Sequence, residues 1–177
     1  MSYLVRIAAS TALLFGSVTL APRAANAAPS PEIPSAFSIA KSNNKNQVHY
    51  AVQVDTSCAP ASAAPVRPYW RMYEKSPDAT ELLTGREDRV LGVDRQDVDG
   101  QTVSIALKGM RARTFTIHTS QAADGTCVAS TSTTISGVNA RVASIYVKMK
   151  LFGVDYVELS GYASDGAVVR ERLSVQT

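Results

Sequence analysis

Three Asp-Gly pairs, Asp99-Gly100, Asp124-Gly125 and Asp165-Gly166, each fall between stretches in which apolar and polar side chains alternate. Asp-Gly supplies the positive backbone torsions of a tight hairpin turn, and alternation at period two marks a strand with one buried face. Val103, Ile105 and Leu107 oppose Thr102, Ser104 and Lys108, and Phe115 and Ile117 oppose Thr114, Thr116 and His118. Ala143, Ile145, Val147, Met149 and Leu151 oppose Ser144, Tyr146, Lys148 and Lys150, and residues 154–163 and 167–175 close the chain as a last hairpin. The second half therefore reads as an antiparallel meander.

The first half carries the same period. In residues 47–55, Val48, Tyr50, Val52 and Val54 fall on one face and Gln47, His49, Ala51 and Gln53 on the other. Residues 66–75 hold the strand-favouring Tyr69, Trp70, Met72 and Tyr73, with Pro68 near the start, where a strand tolerates it. Thr84 and Glu87 have capping-box spacing, which predicts one short helix between Pro77 and Val90. Eight or nine strands at intervals of about ten residues predict an all-β fold, an antiparallel β-sandwich with a flattened barrel as the alternative.

The amino-terminal end predicts export. A start carrying only Arg6 precedes an apolar run from Ile7 to Leu20 and then Ala25-Asn26-Ala27, a small-x-small cleavage pattern. The run is shorter than the roughly 20 residues that span a bilayer, so residues 1–27 read as a cleaved signal peptide. Residues 28–36 hold three prolines and read as a flexible arm, leaving residues 37–177 as one domain. Of eighteen basic residues Arg6 and Arg23 go with the leader, so sixteen face fifteen acidic ones. That balance gives no footing for a nucleic-acid partner.

Cys58 and Cys127 are the only cysteines, and in an exported chain the simplest reading is a structural disulfide. Their wide separation does not suit a C-x-x-C redox pair, and with His49 and His118 they lack zinc-site spacing, so neither metal nor cofactor is expected. There is no G-x-S-x-G elbow and no Gly-rich phosphate loop. Two segments stand out instead. Residues 41–50 form a polar loop feeding a strand, with Lys45, Asn46 and His49 as candidates for a ligand-facing edge, against the plainer reading of a polar turn and an outward histidine. Tyr69, Arg71 and Tyr73 are expected to face outward while Trp70 joins the core. If the two strands pair, Gln47, His49, Gln53, Tyr69, Arg71 and Tyr73 share one outer sheet face suited to a sugar, peptide or protein partner.

Asn44-Lys45-Asn46 with Val48-His49-Tyr50, then Tyr69-Trp70-Arg71, then Phe152-Gly153-Val154-Asp155-Tyr156-Val157, resembles an exported bacterial family catalogued as domain of unknown function 4833. The likeness runs from about Lys41 to Gly161, and the placing of Cys58 and Cys127 is also similar. It implies a periplasmic or secreted location and carries no activity with it. The reading is of a binding or interaction module of the cell envelope, with an envelope protein or glycan as partner and no membrane span after cleavage. One alternative is a periplasmic hydrolase with His49 as acid/base and Asp155 or Glu74 as its partner; another is a structural envelope component.

Overall fold

The computed structural model describes residues 32–151 and 153–174; the expected signal peptide, residues 1–27, lies outside them. The strands in chain order are β1 (Glu32–Lys41), β2 (Gln47–Gln53), β3 (Val66–Arg71), β4 (Thr80–Leu82), β5 (Val93–Asp99), β6 (Thr102–Leu107), β7 (Met110–Gln121), β8 (Cys127–Ile135), β9 (Val138–Lys150), β10 (Gly153–Tyr162) and β11 (Val168–Ser174). A single helix among the described residues, α1 (Gly85–Leu91), lies between β4 and β5. The fold is all-β, as the alternation predicts. Gly100, Gly125 and Gly166 all take positive φ in the turns joining β5–β6, β7–β8 and β10–β11.

From β5 to β11 every consecutive pair is antiparallel, so the meander holds. One pair departs from it. Residues Ile39–Lys41 of β1 run parallel to Ile145–Val147 of β9, which makes the sheet mixed, in the order β4-β3-β2-β1-β9-β8-β7-β6-β5 with β10 and β11 branching from β9. Because β10 runs along nearly all of β9, β8 and β1 must share its opposite edge. β8 takes the stretch Val138–Arg141 and β1 the stretch Ile145–Val147. Between them Ala143 is skipped by the β10 register, a bulge opposite Gly161. A bulge bends its strand and inverts the facing of the residues beyond it. Ala140 is accordingly buried, Ala143 exposed rather than inward as expected, and Ile145 buried again. Gly161 must be glycine, since a Cβ there would meet the Arg141 carbonyl oxygen at 2.5 Å.

The bend turns the sheet over on itself around one core. Phe37 of β1 stacks on Tyr50 of β2 at 4.2 Å and on Phe115 of β7 at 5.2 Å, so aromatic rings join the two layers. β8 and β1 have no ladder between them, and the buried Thr131 donates its hydroxyl to the Ala36 carbonyl at 3.0 Å. The buried Thr133 does the same for the Thr114 carbonyl at 2.7 Å, so both interior threonines of β8 are hydrogen-bonded. The far ends approach where the Gln96 side chain bonds the Val66 N–H at 2.9 Å and its carbonyl at 3.0 Å. Side-chain bonds stand there in place of a backbone ladder, and the sheet does not close into a barrel.

Residues 32–36 correct the expectation of a flexible arm. Ile33 pairs with Val52 and is buried, and the ladder resumes at Phe37 after an irregularity spanning Pro34. The proline withholds its donor where the register slips, so the strand absorbs it. Cys58 and Cys127 form a disulfide with Cα atoms 5.3 Å apart, tying the loop after β2 to the start of β8. No described helix is long and apolar enough to cross a membrane.

Candidate functional site

Cross-strand register brings part of the expected outer cluster together. His49 lies directly opposite Tyr69, and Gln47 opposite Arg71. The His49 ring is 5.8 Å from the Tyr69 ring and 6.2 Å from that of Tyr73, whose hydroxyl stands 3.5 Å from His49 Nε2. Tyr73 arrives from the turn after β3, not from the strand itself, because β3 ends at Arg71. The Arg71 guanidinium lies 5.6 Å from the Tyr73 ring and 3.9 Å from the exposed Asp78, while its Nε is buried without a partner among the described residues. Burial holds the His49 imidazole below the usual histidine range, and the Arg71 charge acts in the same direction. Burial also raises the Tyr69 phenol, which donates to the Pro34 carbonyl at 2.9 Å.

Asn46 and Lys45 play a different part. Asn46 is buried; its Oδ1 accepts the Glu74 N–H at 3.1 Å and its amide donates to the Glu74 carboxylate at 3.5 Å, with the Lys45 N–H nearby at 3.4 Å. These contacts lock the β1–β2 turn to the turn after β3, so the Asn46 side chain is scaffold. Glu74 is thereby engaged away from His49. Among the described residues no carboxylate reaches His49, and no His, Cys, Asp and Glu side chains gather as a metal site.

A second region is one that no sequence motif announces. At one end of the core, beneath α1, lies a recess of 880 Å³ floored by Ile39, Trp70, Val147 and Val157 and walled by Leu91 and Met149. No side chain of helix α1 is fully buried; Leu91 packs partly against the core, and polar bonds add to its hold. Tyr50 donates its hydroxyl to the Leu91 carbonyl at 2.6 Å, Gly109 donates its N–H to the Val90 carbonyl at 2.8 Å, and Lys108 pairs with Asp88 at 2.6 Å. Gly109 allows this approach, since a Cβ would meet the Val90 carbonyl oxygen at 2.7 Å. Thr84 occupies the helix N-cap as expected, but its hydroxyl makes no cap bond, and Glu87 instead accepts the Trp70 indole N–H at 2.8 Å.

Lys41 completes the recess, its ammonium 4.1 Å from the Trp70 ring centroid. Burial lowers the Lys41 pKa, with Glu87 partly opposing the shift. The signal that reveals this region is parity. Phe37, Ile39 and Lys41 share one face of β1, and Val147, Met149 and Leu151 continue one face of β9, so both inward rows run past the core and line the recess. Val90 and Leu151, 45% and 87% exposed, leave apolar surface bare at its mouth.

No curated protein and no solved structure matches the chain. The family model described as domain of unknown function DUF4833 matches residues 37–172, from within β1 to within β11, and so takes in both layers, the recess and the outer cluster. The chain belongs to the DUF4833 family.

Proposed function

We propose that the chain is an exported binding module and that its ligand occupies the recess beneath α1. The observation that carries this reading is the recess itself, a largely apolar concavity with a few polar groups, roofed by a helix none of whose side chains is fully buried. Its 880 Å³ falls within the range of about 300–1,000 Å³ typical of small-molecule sites. The disulfide supports an oxidising compartment such as the periplasm or the medium. The hydrolase alternative is less well supported, because among the described residues no carboxylate orients His49, and His49 is not among the residues lining the recess. Assembly through strand edges is disfavoured too, since β4 is three residues long and β5 and β11 alternate with charges.

A second reading keeps the outer face as the contact surface for a glycan or envelope protein, favoured by His49, Tyr69, Arg71 and Tyr73 lying together. One experiment separates the two. Folded protein is incubated with an envelope extract of small molecules and lipids, re-purified, and weighed by native mass spectrometry. A retained small-molecule mass is expected, and Val90→Trp, which fills the mouth from an exposed position, should reduce retention about tenfold with an unchanged circular dichroism spectrum. Retention that survives Val90→Trp and is lost in Tyr69→Ala would move the site to the outer face.

A further inference from the structure

The geometry points to a specific ligand class for the recess: a single-chain amphiphile with an anionic head, its chain laid along Ile39, Trp70 and Val157 and its head held by Lys41. This rests on the reading of the recess as a binding site. The charges around it are unbalanced. Lys41, Arg86 and Lys150 border the recess, and among the described residues none of them makes an ion pair, whereas Glu87 is the one carboxylate. Glu87 is already engaged as acceptor for the Trp70 indole. Three cations without ion-pair partners among the described residues, around one occupied carboxylate, complement an anion and repel a cation.

Placement within the recess also separates head from chain. Lys41 follows Ile39 on the inward row of β1, so the ammonium sits where the apolar floor ends. It is held over an aromatic face, with burial withholding part of its hydration. A carboxylate or phosphate arriving there would replace lost water with a charge-assisted hydrogen bond. Val90 and Leu151, bare at the mouth, would cover the length of chain nearest solvent. A purely apolar ligand would leave Lys41 desolvated and unpaired, and a cationic one would meet three like charges.

Trp70 is the only tryptophan, so its emission reports the recess directly. The test titrates the full chain, below micellar concentrations, with decanoate, decyl glucoside and decyltrimethylammonium, following Trp70 emission with circular dichroism as a check on folding. Decanoate should bind about tenfold tighter than decyl glucoside, and decyltrimethylammonium more weakly than either. Lys41→Met should reduce the preference for decanoate to less than about threefold while leaving decyl glucoside affinity intact, and Lys41→Arg should restore it. Equal affinity for decanoate and decyl glucoside, or a preference unchanged in Lys41→Met, overturns the anionic ligand while the recess still stands as a site. If none of the three perturbs Trp70 emission, the binding reading falls with it.

Discussion

Replacing both Cys58 and Cys127 with serine is expected to lower the free energy of unfolding by about 4 kcal/mol. The chain-entropy model gives that size for a loop as long as the one this disulfide closes, and removing a native disulfide from a small secreted domain commonly costs about 2–5 kcal/mol. Its position argues for the full effect. Cys58 is fully buried and Cys127 opens β8, so the bond fastens the loop after β2 in one layer to the β7–β8 hairpin in the other. The loop has local support as well, because Asp55 Oδ1 accepts the Ser57 and Ala59 N–H groups at 2.8 and 3.0 Å. That support keeps the loop shaped but does not attach it to β8. Urea unfolding should show a midpoint lower by roughly 2 M, for a slope of about 1–3 kcal/mol/M. A shift below about 0.5 M would mean that the layers hold together without the bond.

Phe37→Ala should cost about 3–5 kcal/mol, the range for truncating a buried phenylalanine. Phe37 contacts rings in both layers, lying parallel to Tyr50 at 4.2 Å and to Phe115 at 5.2 Å. Its removal opens a cavity in the middle of the sandwich and forfeits two stacking contacts, each worth about 0.5–1.5 kcal/mol beyond burial. Phe115→Ala should be comparable. Combined, the two should be less destabilising than their sum by about 0.5–1.5 kcal/mol, since each removes a contact of the other. Urea denaturation of the two single variants and the double variant measures that coupling. Strict additivity would show that the rings sit close without interacting.

How much of the fold is legible in the sequence depends on the range of the interactions concerned. The Asp-Gly hairpins are legible because a two-residue turn is decided by its own residues, and so is the inward row of β6. Ser136-Gly137, which joins β8 to β9 with φ of 48° and 80°, is the same kind of turn carried by a serine that seldom adopts such a conformation. β1 is obscured by Pro34, although Ile33, Phe37 and Ile39 keep one parity through it. Its parallel pairing with β9 joins segments about a hundred residues apart, and no local pattern encodes that. The His49–Tyr69 neighbourhood is readable because alternation and hairpin pairing together fix cross-strand neighbours. Asn46 is not, since only its contact with Glu74 shows it to be scaffold. The recess draws on β1, β3, α1, β9 and β10, and it forms only once the bulge at Ala143 has folded the sheet over.

The central claim, that this protein binds through the recess and not through its outer face, is most directly tested by amide and indole chemical-shift mapping of the isotopically labelled chain with saturating decanoate. The recess predicts perturbations at the Trp70 indole, Leu91, Gly109, Met149 and Val154, all of which line it. His49, Tyr69 and Tyr73 should stay unmoved. Perturbations centred on those three residues, with a silent Trp70 indole, would contradict the claim.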